Sequence, residues 1–226
     1  RENGWKFAVF TRDPALRYLS AYGSTCVAYR PNRFEHPKEC CGPLVNDSNI
    51  AVTRMVDMFQ SRVWNDYESG NVMGDDHWSS QVNVFKQCGW EHFDPSKVDF
   101  HGDISSGDVN QQVKDMLSLN GPINETASSM VDKLFPKHGA VAGHKSPFHR
   151  IHPEMFYNDK KVLKAMMAVY SEDYKQIRGV GKGFTDKWLK KTDSERKAAW
   201  AKHSRAHVAM GRAVEEEGEG EWDGWE

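Results

Sequence analysis

Apolar residues recur along this chain in two registers, and their alternation predicts an α/β domain. The run Trp5–Phe10 is short, aromatic and β-branched, as a buried strand requires. It leads at once into Asp13-Pro14, an N-cap residue followed by proline at the first helical position, so the strand runs into a helix. Within Ile50–Tyr67 the positions Val52, Val56, Phe59 and Val63 keep helical spacing, whereas Tyr29–Asn49, broken by Pro31, Pro37, Gly42 and Pro43, reads as an irregular loop. Residues 76–88 predict a further helix and 98–102 a strand. Residues 107–119 and 124–135 predict two helices, bounded by Gly, Pro or Asn signals. In Val162–Ile177, Leu163, Met166, Met167, Tyr170, Tyr174 and Ile177 make one apolar face, which predicts a helix packed against the sheet.

After Ile177 the character changes. Arg178-Gly-Val-Gly-Lys182-Gly reads either as a flexible linker or as a close-approach loop in which Lys182 meets a phosphate. Residues 186–214 are basic, Ala-rich and helical in pattern. Residues 215–226 form an acidic tail with two tryptophans, expected to be disordered and either solvated, folded back on the basic helix or held by a partner. The expected organisation is a domain over 1–180, a basic helical extension over 181–214 and the tail over 215–226.

Composition narrows this further. With 226 residues, 38% of them hydrophobic, the chain can bury one core. A net charge of −2 gives no basic signature, so no nucleic-acid partner is expected. No apolar run approaches the roughly eighteen residues of a membrane span and no signal-peptide pattern opens the chain. No membrane contact is expected from this segment, although an anchor upstream stays open. The four cysteines, Cys26, Cys40, Cys41 and Cys88, allow two disulfides without assigning them, and show no zinc-type spacing. Asn46-Asp47-Ser48 and Asn124-Glu125-Thr126 are glycosylation sequons, usable only in the secretory pathway.

The chemistry concentrates in Arg12–Tyr22. Arg12 stands at the carboxyl end of the first predicted strand, where open α/β sheets bind ligands, and Asp13, Arg17 and Ser20 follow at helical spacing on one face. A planar guanidinium donates two parallel charge-assisted bonds to a phosphate, a serine hydroxyl adds a third, and the helix N-terminus adds a favourable dipole. A local Arg12–Asp13 ion pair is the competing explanation.

The sequence Arg-Asp-Pro-x-x-Arg-x-x-Ser-Ala-Tyr over residues 12–22 resembles the 3′-phosphate-binding segment of sulfotransferases, most closely the Golgi carbohydrate sulfotransferases. Two later segments are similar to that family in the same order. One is His77-Trp78-Ser79-Ser80-Gln81 with Cys88 and the strand-like Val98–Gly102. The other is Gly143-His144-Lys145-Ser146 followed by a helix ending Tyr170-Ser171-Glu172-Asp173-Tyr174. The chain departs from the family at His101 and Asp103, where relatives carry Ile or Val and Lys.

The resemblance implies a P-loop-like sulfotransferase fold, with a central, mainly parallel sheet flanked by helices and a helical C-terminal extension. It implies 3′-phosphoadenosine 5′-phosphosulfate as co-substrate, its 3′-phosphate held by Arg12 and Ser20, with Arg17 a third, structural position. It implies transfer of the sulfuryl group to a carbohydrate hydroxyl without a metal. His77 is the first candidate for the base, His101 the second, and His144-Lys145 a third option, in which Lys145 would instead touch donor or acceptor. The family also uses a 5′-phosphosulfate loop, which no segment before Trp5 supplies, so the chain is expected to be either a fragment or a catalytically inactive binding or assembly subunit. Family and cysteines together imply the Golgi lumen, with a bridge among Cys26, Cys40 and Cys41, and a cytoplasmic location stays open.

Overall fold

Strands β1 (Ala8–Thr11) and β2 (Phe100–Asp103) pair in parallel in the computed structural model, in a register that runs from Ala8 opposite Phe100 to Thr11 opposite Asp103. The structure describes residues 3–27, 52–72, 76–89, 97–105, 108–136 and 152–203. Around this pair lie α1 (Pro14–Tyr22), α2 (Val52–Ser69), α3 (Gln81–Gln87), α4 (Val109–Leu117) and α5 (Glu125–Leu134). They are followed by α6 (Pro153–Phe156), α7 (Lys160–Val169), α8 (Ser171–Gln176) and α9 (Thr185–Lys190), and residues 193–203 are again helical. The described part of the protein is therefore mixed α/β and mostly helical, with a small parallel sheet of two strands. None of its helices is long and apolar enough to cross a membrane.

The first strand is shorter and wetter than its apolar run suggests. Pairing begins at Ala8, while Trp5 is 72% and Phe7 41% exposed. Only the half opposite β2 gains cover, because Phe10 packs at a tilt against Phe100 at 5.6 Å and occupies the space beside Gly102. A Cβ at Gly102 would lie 2.3 Å from the Phe10 ring, which explains the glycine in the middle of β2.

The predicted helix over 76–88 starts only at Gln81. Ser80 is its N-cap, with Oγ accepting from the Asn83 N–H at 3.1 Å, and residues 76–79 form turns. The predicted helix over 162–177 is two helices. The helical run is interrupted at Tyr170, whose backbone leaves the helical conformation at φ −101° and ψ 30° and whose buried hydroxyl donates to the Trp78 carbonyl. The segment 178–183 is a set of tight turns in which Gly179 and Gly181 take φ of 82° and 86°. Gly181 packs against Tyr174 so closely that a Cβ would sit 2.7 Å from the ring.

The core gathers α1, α2, α6 and α7 around Phe59, which meets Tyr18, Tyr22, Phe156 and Tyr157 edge to face at 5.2–5.6 Å. Trp188 of α9 joins the same core and donates its indole N–H to the Tyr157 carbonyl at 2.6 Å. A charged pair lies inside as well. Arg62 donates Nε to Asp66 at 2.8 Å with both side chains 1% exposed, the Tyr18 hydroxyl donates to the same oxygen at 2.7 Å, and the guanidinium stacks on Trp78 at 4.1 Å. Sequence periodicity assigned these α2 positions no role, since a helical stripe of Val and Phe gives no sign that two charged residues turn inward beside it.

Cys26, in a π-helical turn (Gly23–Val27) that continues α1, is disulfide-bonded, and Cys88 is free and exposed. Cys40, Cys41, the 29–49 loop, the Asn46 sequon, His144-Lys145-Ser146 and the tail over 215–226 lie outside the described residues, as does the stretch 204–214 of the basic extension. Asn124 of the other sequon is exposed and caps α5, accepting from the Ala127 N–H at 2.8 Å.

Candidate functional site

Where β1 ends, the next two residues are fixed from opposite sides. The Arg12 peptide is gripped by the carboxamide of Gln81, which accepts from the Arg12 N–H at 2.8 Å and donates to the Arg12 carbonyl at 2.9 Å. Gln81 is held in turn by Asp173 of α8, whose carboxylate accepts from the Gln81 N–H at 3.0 Å and the Val82 N–H at 2.9 Å and so covers the start of α3. Burial nevertheless pushes the Asp173 carboxyl above its ordinary pKa, against the downward pull of these hydrogen bonds.

Asp13 does not pair with the Arg12 side chain. Its buried carboxylate accepts from the Ala15 N–H at 3.0 Å and the Thr185 hydroxyl at 2.8 Å through one oxygen. Through the other it accepts from the Phe184 and Thr185 N–H groups at 3.2 and 2.9 Å. One aspartate thus caps α1 and binds the start of α9. This corrects an expectation from the sequence. The N-terminus of α1 is capped by Asp13, which bonds the Ala15 N–H and α9 and does not line the pocket of Arg17 and Ser20.

Arg12, Arg17, Ser20, Ser24, Asp76 and His77 line a pocket of about 340 Å³ along the flank of α1. Arg17 is tied to the turn before α3, donating to the Ser79 carbonyl and, at 3.2 Å, to the Asp76 carbonyl. The Arg12 guanidinium is different, since it makes no hydrogen bond among the described residues. Burial lowers its pKa and the neighbouring Arg17 adds to the effect, with Asp13 pulling the other way. Two cations held together beside a hydroxyl are a site in need of an anion. Asp76 places one carboxylate on the same wall. On its other side the arginine pair borders a second pocket of about 330 Å³, whose walls include Phe10, Val84, Phe85 and Ile104. A charged cradle and a largely apolar cavity therefore share Arg12 and Arg17.

The remaining candidates lie elsewhere or on the rim. His77 is exposed on the wall of the first pocket. His101 instead lines a small cavity of about 150 Å³ with Thr11, Asp103 and the Arg178–Val180 turn, its Nε2 2.7 Å from the Thr11 hydroxyl. Lys182 is exposed and lines neither of the arginine pockets. The sequence did not reveal what Gln81, Tyr170 and Asp173 do. All three stand in the family-like segments, but bracing of the Arg12 peptide needs three separate segments in contact, which no local pattern shows.

Although His101 keeps an exposed face, partial burial lowers its pKa, opposed by Asp103 and the Arg178 backbone. The unfolded chain then binds the proton at higher pH than the folded one, so stability is lost as pH falls below about 6.5 towards the folded pKa. The urea midpoint is expected to drop between pH 7 and pH 5, and to drop less in His101→Asn. An equal drop in both proteins contradicts this assignment.

No protein-family model, no curated protein and no solved structure matches the chain.

Proposed function

We propose that this protein is a domain of sulfotransferase type that binds 3′-phosphoadenosine 5′-phosphosulfate through Arg12 and Ser20 and transfers its sulfuryl group to a carbohydrate hydroxyl. The observation that carries the reading is the Arg12 guanidinium. It is partly buried beside Arg17, free of hydrogen bonds among the described residues, and set on a peptide that Gln81 grips from both sides. Such a group is preorganised for a phosphate. The pocket of Phe10, Val84, Phe85 and Ile104 across the arginines suits the ring of a nucleotide, as an inorganic anion would not require. The convergence of three segments that resemble the family in the same order supports the reading further, because Gln81, Tyr170 and Asp173 make contacts that hold the clamp together.

In the reaction the acceptor oxygen attacks sulfur, a base takes the hydroxyl proton, and the sulfur–oxygen bond to the 5′-phosphate breaks with its electron pair leaving on phosphate. His77 is the base we assign, because it stands on the wall of the arginine pocket and an imidazole serves as a general base, with His101 as the alternative. Arg17 positions the wall of the site through the Ser79 and Asp76 carbonyls. Lys182, exposed on the turn that follows α8, is the remaining candidate for contact with the donor. The disulfide at Cys26 supports a Golgi or secretory location.

A second reading, a binding or assembly subunit without activity, is favoured by Asp103, which puts a carboxylate at the end of β2 where the resemblance calls for a lysine. Incubation with sulfur-labelled donor and a panel of carbohydrate acceptors separates the two. Label transferred by the wild type and lost in Arg12→Ala supports the enzyme. Donor binding without transfer to any acceptor leaves the subunit, and neither binding nor transfer contradicts both.

A further inference from the structure

Away from the arginine site, two histidines distant in sequence stack face to face. His152 is the N-cap of α6, Glu154 lies in its first turn, and His203 belongs to the helical run 193–203. The two imidazoles are parallel within 7°, with centroids 4.2 Å apart. One oxygen of Glu154, Oε2, lies 3.9 Å from His152 Nδ1 and 3.7 Å from His203 Nε2. The other, Oε1, accepts from Lys191 at 2.7 Å, which fixes the carboxylate with Oε2 facing the rings. Three ligand atoms of the chemistry that suits borderline metals thus lie within 4.8 Å of one another without hydrogen bonds among them.

We propose that His152 Nδ1, Glu154 Oε2 and His203 Nε2 bind a zinc ion, which fastens the 193–203 helix to α6. The donor set is two imidazoles and a carboxylate, as in three-ligand zinc sites that leave a fourth position to water. Ligand atoms about 2.1 Å from a tetrahedral metal lie roughly 3.4 Å apart, so the three atoms have to close by less than about 1 Å each, and one imidazole has to turn out of the parallel stack so that the in-plane lone pairs of both rings meet at the metal. The Lys191 contact to Oε1 plays the part of an outer hydrogen bond that orients the ligating carboxylate. No local spacing marks this site, because His203 is far from His152 in the chain.

Calorimetric titration of the full chain with zinc chloride tests the proposal, together with cobalt as a spectroscopic substitute. The wild type is expected to bind one zinc, and the cobalt form to show the intense visible bands of a tetrahedral site. Loss of an outer partner alone weakens metal binding by roughly 10–100-fold, so His152→Ala and His203→Ala should each weaken it by more than about 100-fold. Unchanged zinc affinity in the double variant, or no binding by the wild type, overturns the site. Should a variant fail to fold, the wild-type cobalt spectrum decides, and the weak absorption of octahedral cobalt overturns the proposal. The sulfotransferase reading stands or falls separately, because neither arginine pocket includes these residues.

Discussion

Replacing Asp66 with alanine is expected to destabilise the protein by about 3–5 kcal/mol, the range seen when one partner of a buried ion pair is removed. The Asp66 carboxylate faces Arg62 at 2.8 Å and takes the Tyr18 hydroxyl at 2.7 Å, in a region where both charged side chains are 1% exposed. Without it the guanidinium stays against Trp78 in the interior and loses its nearest negative charge. Removing both charges at once, as in Arg62→Met with Asp66→Leu, avoids that penalty and should be much milder than the single change. Urea denaturation of the three proteins measures the difference. A double variant as unstable as Asp66→Ala would show that the pair is needed for more than charge balance. Tyr18 links this network to the functional site, because its ring packs on Trp78 and Tyr170, the residues that lead to Gln81 and Asp173.

The second large effect is expected at Asp13. Its carboxylate accepts four hydrogen bonds, from Ala15, Phe184 and twice from Thr185, and it is 1% exposed. Loss of an N-cap alone costs about 1 kcal/mol, and each buried donor left without a partner costs a further 1–3 kcal/mol. With the Thr185 N–H and hydroxyl as the two buried donors, Asp13→Ala should therefore lose at least about 3 kcal/mol and release α9 from α1. Asparagine keeps an acceptor on one side only, so Asp13→Asn is expected to fall between alanine and wild type in the same denaturation series. A loss below about 1 kcal/mol in Asp13→Ala would mean that water replaces the carboxylate, contrary to the burial described.

Local signals carried far enough along this chain to find the start of α1 and, to within two residues, both ends of α2, α4 and α5. Asp13-Pro14 marks α1 and Asn124 marks α5 because a capping side chain and its helix are neighbours in sequence. The same locality explains the errors. Trp5 and Phe7 look like half of a buried strand, but burial depends on what lies opposite, and β2 begins pairing only at Ala8. The apolar face of 162–177 runs unbroken through Tyr170, and only the contact of Tyr170 with Trp78 shows why the helix is interrupted there. At the site, Arg12 and Ser20 were legible from residue type and spacing. The use of Asp13 on α9, 172 positions away, was not.

The central claim is that Arg12 and its neighbours form a clamp for the 3′-phosphate of a nucleotide. Thermal unfolding with adenosine 3′,5′-bisphosphate titrated into the wild type and into Arg12→Ala tests it most directly. At about 100 times its dissociation constant the ligand should stabilise the wild type by roughly 2.7 kcal/mol, and this gain should vanish in the variant at the same concentration. Equal stabilisation of both proteins, or none in a folded wild type, would contradict the clamp.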